Sequence, residues 1–310
     1  MKKIFIDGSA GTTGLQIFER LAKRKELELV TLPEHLRKDI SARKDALNSA
    51  DIAFLCLPDD ASREAVSLVE NPDVTIIDAS TAHRTLDSWA YGFAELGKEF
   101  EEKIIKSNRI ANPGCHASGF IALVYPLIEK GIISRDTLLT CHSITGYSGG
   151  GKKMIAEYES CERAEELCAP RQYALGQAHK HLKEMKAITG IENEPIFCPI
   201  VSDFYSGMTV TVPIFASGLN SGFTVDDIKA AYAEKYNTEL VKYVGCADET
   251  GFVSGAKLSR RDSMQIAVEG NGERILLIAM YDNLGKGASG AAVECLNIVL
   301  GIDKAVGLEV

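Results

Sequence analysis

The chain has 310 residues, 45% hydrophobic and 25% charged, which is the balance of a soluble globular protein long enough for two domains or one large one. Thirty-four basic against 43 acidic side chains leave a net charge of −9, which argues against a nucleic-acid partner. No stretch approaches the ~20 apolar residues that span a bilayer, and the eight cysteines are too sparse for a disulfide scaffold.

The start, MKKIFIDGSA, turns polar at Asp7 and lacks the apolar core of a signal peptide. No C-x-x-C pair exists, Cys161 and Cys168 being the closest two, so the expectation is a reduced, cytoplasmic enzyme with mostly buried thiols. Residues 3–7 (KIFID) form a short apolar run, and GSAGTTGLQIFERLAKR follows with Leu15, Phe18, Leu21 and Ala22 at helical spacing. That reads as strand, glycine turn, helix. Residues 27–32 are a second strand. DIAFLCLP (51–58) is continuously apolar, as strands buried on both faces are, and VTIIDAS (74–80) is another buried strand, with a helix between them at 62–70. The alternation predicts an α/β, Rossmann-type, doubly wound parallel sheet.

The texture then changes. ASGFIALVYPLIEKG is a helix with Gly131 placed to end it. β-rich runs follow at 137–145 and 195–217, and DSMQIAVEG and RILLIAMYDN add two more. This succession predicts an α+β second domain with a mostly antiparallel sheet. KGASGAAVECLNIVLG closes the chain as a small-residue helix expected to pack back on the first domain. The division drawn is 1–114 with 284–310 for the dinucleotide, and 115–283 for catalysis and oligomerisation.

Gly8, Gly11 and Gly14, spaced G-x-x-G-x-x-G, depart from the G-x-G-x-x-G fingerprint but serve the same physics. Glycines let backbone approach closely, and the helix N-terminus offers free N–H groups to a pyrophosphate. Gly8, Ser9, Gly11, Thr12, Thr13 and Gly14 are therefore the candidate cofactor turn. After the second strand, Glu34 is a possible ribose acceptor, whereas Arg37 and Lys38 are cations for a 2′-phosphate; the reading favours NADP over NAD.

In ANPGCHASGF (111–120) a rigid turn presents Cys115 at the start of a helix. The positive end of the helix dipole lowers a thiol pKa there and favours thiolate. Cys56, Cys141, Cys198 and Cys295 read as core thiols. A thiolate beside a nicotinamide suggests a thioester that exchanges hydride at its carbonyl carbon. GQAHKHLKEM (176–185) supplies His179 and His181 around Lys180; on an extended segment these alternate residues face one side, and as acid/base groups they complete the chemistry. Two histidines without a third ligand are a weak metal site, so none is expected. Ser148, Gly149 and Gly150, followed by Lys152, form a candidate anion nest.

DASTAHR with YGFAEL (78–96), ANPGC, the H-x-H segment and DNLGKGASGAA (282–292) resemble the type 2 branch of the N-acetyl-γ-glutamyl-phosphate reductase family, in the aspartate-semialdehyde dehydrogenase superfamily. The resemblance runs from Lys3 to the last helix. It implies arginine biosynthesis in the cytoplasm, NADPH as reductant, and a homodimer or homotetramer. It further implies Cys115 as nucleophile, His179 or His181 as acid/base with His179 preferred, and Ser80, Asn283, Lys286 and Gly287 as added cofactor contacts. Arg84, Asn112, Lys180 and the Ser148–Lys152 segment are implied for the acyl phosphate and the inorganic phosphate released. His116 and Ala117 stand where longer members carry Tyr-Pro, and Ala82 and His83 where they carry Asp-Phe. On this reading Cys115 attacks the acyl phosphate, hydride reduces the thioester, and the thiohemiacetal collapses with a proton from histidine. The rivals are another acyl-phosphate reductase, such as aspartate-semialdehyde dehydrogenase, and a non-enzymatic NADP-binding sensor.

Overall fold

The computed structural model describes residues 1–247 and 250–310. They form two compact units: Met1–Pro113 with Ala288–Leu308, and Gly114–Gly287 with Glu309–Val310.

The first unit alternates strand and helix. Its elements are β1 (Lys2–Asp7), α1 (Thr12–Leu21), β2 (Leu27–Val30), α2 (Ile40–Ser49), β3 (Ile52–Leu55), α3 (Asp59–Ser67), β4 (Thr75–Asp78), β5 (Ala90–Tyr91), α4 (Lys98–Lys106) and β6 (Arg109–Ala111). The sheet is parallel throughout, in the order β2-β1-β3-β4-β6-β5. Period-2 alternation divides its side chains between two cores. Ile4, Ile6, Phe54 and Ile77 pack with Ile17 and Leu21 of α1 and Ile104 of α4. On the opposite face Phe5, Ala53, Leu55 and Ile76 pack with Leu47 of α2 and Ala65 of α3. Both faces are covered, so the strands carry the continuous apolar runs that made them legible. The strand order reverses between β1 and β3, β2 being added on one side of β1 and β3 and β4 on the other, and at such a switch point doubly wound sheets bind their ligands.

The second unit contains α5 (Cys115–Glu129), β7 (Thr140–Gly146), α6 (Gly151–Glu159), β8 (Arg171–Gln172), α7 (His181–Thr189), β9 (Ile196–Ser202), β10 (Met208–Phe215), α8 (Val225–Lys235), β11 (Val241–Gly245), β12 (Met264–Gly270) and β13 (Arg274–Tyr281). Its sheet runs β11-β12-β13-β10-β7-β9-β8, antiparallel except at β11–β12 and β7–β9. The β-rich run expected over 195–217 is two strands, because residues 203–207 turn between them. α5 packs on β10 and β13 and is apolar all round because it is buried nearly along its whole length. It stops where anticipated, with Gly131 at φ +67. Cys141, Ser143 and Thr145 point to the buried face of β7, while His142 and Ile144 point away. On that outer side Ile144 (39% exposed), Ile196 (61%), Phe215 (67%) and Leu276 (39%) leave apolar surface open.

The chain then re-enters the first unit as α9 (Gly290–Leu300). Ala292, Val293, Cys295, Leu296 and Ile298 complete the α1 side of that unit's core.

Candidate active site

The glycine turn is built from close backbone contact. Gly8 has φ +86, and a Cβ there would stand 2.3 Å from the Cys56 carbonyl oxygen. A Cβ on Gly14 would stand 2.4 Å from the Gly8 carbonyl oxygen. No residue larger than glycine fits either place without moving backbone. Gly11 is the N-cap of α1 and gives it no side-chain cap, which leaves the helix N-terminus to an anion. The Thr12 hydroxyl oxygen is buried with no hydrogen-bond partner. A bare helix end, an orphaned hydroxyl and a backbone cradle at the switch point fit a dinucleotide pyrophosphate. Ahead of the turn, Asp7 is buried against Arg43 at 3.0 Å, and Arg43 also holds Glu64. Ser9 is half-buried and Thr13 lies in the first turn of α1; Arg37 and Lys38 are exposed in the segment after β2.

Other residues named from the resemblance have partners within the first unit. Asp78, fully buried at the end of β4, accepts from Ser62, Ser80 and the Ser80 amide, and lies 2.6 Å from Nδ1 of His83. His83 stacks on Trp89 at 4.1 Å. Arg84 donates to the carbonyl oxygens of Asn112 and Ala79, and Asn112 donates to that of Ala288. Within the unit, Ser80 and Arg84 thus brace the turn after β4.

In the second unit Cys115 is the first residue of α5, half-buried, behind Gly114, which supplies no side-chain cap. The Gly114 amide donates to Oε1 of Glu184 at 2.8 Å. Tyr281 is fully buried, and its hydroxyl donates to the Cys115 carbonyl at 2.5 Å and accepts from the Gly119 amide at 3.1 Å. In a regular helix that amide and that carbonyl would bond each other directly. Gly287 passes close by: a Cβ on it would lie 3.1 Å from Cys115 Cβ.

The H-x-H segment is not extended. His179 begins a turn, its carbonyl accepting from the Leu182 amide, Lys180 is exposed at the N-cap of α7, and buried His181 opens that helix. The two histidines still meet, with ring centroids 4.7 Å apart, because the turn folds the first back on the second. His116, beside the candidate nucleophile, joins them at 5.7 and 5.6 Å. Its Nδ1 lies 2.7 Å from Ser143 Oγ and its Nε2 lies 2.6 Å from the Tyr173 hydroxyl. Burial, with the His179 charge second, pushes His116 down to about 3. Burial and then Lys180 push His179 down to about 4. Burial, then the Cys115 charge, pushes the Tyr173 hydroxyl up. The three-glycine stretch is one turn of 3₁₀ helix, Tyr147–Gly150, running into α6. Ser148 is buried and accepts from Asn283, while Gly149, Gly150 and Lys152 are exposed. Asn283 also accepts from the Gly207 amide; Lys286 is buried.

Tyr281, Tyr173, Ser143 and Glu184 were not anticipated. Glu184 alone left a signal, three residues after His181 on one helix face. Among the described residues no cluster of His, Cys, Asp and Glu could hold a metal, and no helix is long and apolar enough to cross a membrane.

A doubly wound first unit and a thiol-bearing second unit define the semialdehyde-dehydrogenase class. Residues 3–104 match the semialdehyde dehydrogenase NAD binding domain and residues 115–283 its dimerisation domain. The fold is like that of aspartate semialdehyde dehydrogenase from Francisella tularensis (TM-score 0.73, 14% identity, 97% of this chain and 100% of that one). It is also like the enzyme from Candida albicans solved with NADP (TM-score 0.66, 16% identity, 97% and 98%). The sequence is 46% identical to N-acetyl-gamma-glutamyl-phosphate reductase of Sinorhizobium fredii, over 96% of this chain and 98% of that one. It is 43% identical to N-acetyl-gamma-glutamyl-phosphate reductase 2 of a Nostoc species, over 99% of each. The chain belongs to the N-acetyl-gamma-glutamyl-phosphate reductase family of oxidoreductases.

Proposed function

We propose that the protein reduces N-acetyl-γ-glutamyl phosphate to N-acetylglutamate 5-semialdehyde in arginine biosynthesis, with NADPH as reductant and Cys115 as nucleophile. The observation that carries this is the placement of Cys115 on the first turn of a helix whose second residue contacts both histidines of H-x-H.

The first unit binds the cofactor through Gly8, Ser9, Gly11, Thr12, Thr13 and Gly14, with Arg37 and Lys38 for the 2′-phosphate; Asn283, Lys286 and Gly287, in the second unit, are the further cofactor contacts that the family resemblance implies. Bound there, the cofactor supplies hydride. Cys115 sulfur bonds to the acyl carbon as the carbon–oxygen bond to phosphate breaks, and the enzyme then carries a thioester. His179 and His181 serve the acyl oxygen and the protons around it. Ser148, Gly149, Gly150 and Lys152 take the phosphate, and Asn112 and Lys180 the rest of the substrate. Ser80 and Arg84 act by holding the β4 turn. The outer sheet face with Phe215 and Leu276 joins copies of the chain into a homodimer or homotetramer, and the protein works in the cytoplasm.

The test is the reverse reaction, with phosphate, NADP and either N-acetylglutamate 5-semialdehyde or aspartate semialdehyde. Higher kcat/KM on the acetylated aldehyde is expected. Preference for aspartate semialdehyde overturns the substrate assignment, and no turnover of either overturns the activity.

A further inference from the structure

The backbone gives His179 a fixed chemical sense. The His181 main-chain N–H donates to His179 Nδ1 at 3.2 Å. A ring nitrogen that accepts a hydrogen bond carries no proton, so the neutral imidazole keeps its one proton on Nε2. Among the described residues the ring makes no other hydrogen bond. Its ionisable surroundings are His116, His181, Tyr173 and Lys180. Three closely packed imidazoles next to a lysine are a poor place to store a further positive charge. His116 is itself committed at both nitrogens, to Ser143 and Tyr173, so it does not relieve His179 of a proton.

The reaction balance asks for little proton transfer by imidazole. In the first stage the sulfur–carbon bond forms, and phosphate leaves with the electron pair of the carbon–oxygen bond. The one proton that balances the reaction ends on that phosphate, drawn from solvent by the substrate's own phosphoryl group. In the second stage hydride from the reduced nicotinamide joins the carbon, and the carbon–sulfur bond breaks, its pair returning to Cys115. Both stages expel an anion, and both place negative charge on the acyl oxygen. What they share is a need for a donor aimed at that oxygen.

We propose that His179 acts as a neutral hydrogen-bond donor, through Nε2–H, to the acyl oxygen as it becomes an oxyanion, and that it is not the base that takes the Cys115 proton. The assignment rests on Cys115 being the nucleophile. Thiol activation then belongs to the N-terminus of α5.

The test compares His179→Gln, which keeps an N–H donor but no titrating base, with His179→Ala, which keeps neither. Each full-length variant is assayed for turnover with NADPH and for the pH dependence of Cys115 alkylation by iodoacetamide, with peptide mapping. His179→Ala is expected to lose about 10²- to 10³-fold in kcat, the usual loss for one oxyanion donor. His179→Gln is expected to retain at least about tenfold more activity than His179→Ala, and the alkylation midpoint is expected to be the same in wild type and both variants. A midpoint that rises in both variants reveals a thiolate–imidazolium pair and overturns the proposal. So does a glutamine variant no more active than the alanine one. Thermal melting establishes that each variant is folded, and His179→Asn replaces any glutamine variant that is not. An enzyme that turns over while Cys115 resists labelling refutes the nucleophile reading instead, a separate outcome.

Discussion

Tyr281→Phe removes one oxygen from the point where α5 begins. That oxygen accepts from the Gly119 amide and donates to the Cys115 carbonyl, and Tyr281 is fully buried. Burial pushes the phenol far above its ordinary range, so it remains a donor at every working pH. Two buried hydrogen bonds at about 1 kcal/mol each give a first figure of about 2 kcal/mol. If the two orphaned groups cannot reach each other, each adds an unsatisfied-group cost and the total rises to roughly 3–4 kcal/mol. If the helix closes its own bond, the loss falls to about 1 kcal/mol. A change of 1–4 kcal/mol corresponds to a drop of several degrees in Tm, at about 2–4 °C per kcal/mol for large domains. Thermal and urea unfolding measure the stability change, and iodoacetamide labelling of Cys115 reports the rigidity of the helix start. A variant with wild-type Tm and wild-type labelling would show that the hydroxyl does not brace the nucleophile, and the reasoning would fail.

Cys115→Ser should fold with unchanged Tm and lose roughly 10⁴-fold or more in kcat, as covalent enzymes do without their nucleophile; residual labelling-sensitive activity traced to another cysteine would reassign the chemistry. Neutralising Arg37 and Lys38 together with glutamine should raise KM for NADPH much more than for NADH, and an equal rise for both would remove them from the 2′-phosphate site. Phe215→Lys with Leu276→Lys should shift sedimentation at micromolar concentration toward monomer, while a monomeric wild type would dismiss the interface altogether. For pH, His116 and His179 have folded values of about 3 and about 4, below the ordinary ~6.5. The unfolded chain therefore binds more protons between the folded and ordinary values, and their contribution is complete above about pH 6.5 and lost as pH falls toward about 4 for His179 and about 3 for His116. The slope they add is at most about 1.4 kcal/mol per pH unit each, so His116→Phe should flatten the acid limb of a stability–pH curve by up to that amount. An unchanged limb would mean that His116 is not held neutral by the fold.

The first unit was readable in sequence because burial on both faces writes a strand as an uninterrupted apolar run, as in IAFL. The helix with Cys115 was likewise marked by its turn and by the glycine that ends it. The arrangement of H-x-H was misread for a physical reason. Alternation alone suggests a strand, but Lys180 and His181 begin a helix whose remaining residues are good helix formers. Tyr281 was beyond reach because it lies 166 residues from Cys115, and only the antiparallel pairing of β13 with β10 brings it there. Tyr173 and Ser143 are invisible for the same reason: each earns its place from a neighbour 57 or 27 positions from His116.

α9 has a consequence for synthesis. The sheet of the first unit is translated ahead of the helix that covers one of its faces, with the 114–287 stretch of the second unit made in between. Until residues 290–300 are made, Ile4, Ile6, Phe54 and Ile77 lack their contacts with Val293 and Leu296. The first unit therefore cannot finish folding while the second is being made, although it is encoded first. A nascent chain stalled near residue 280 would expose an apolar sheet face to chaperones or to another chain, with most of the second unit already translated.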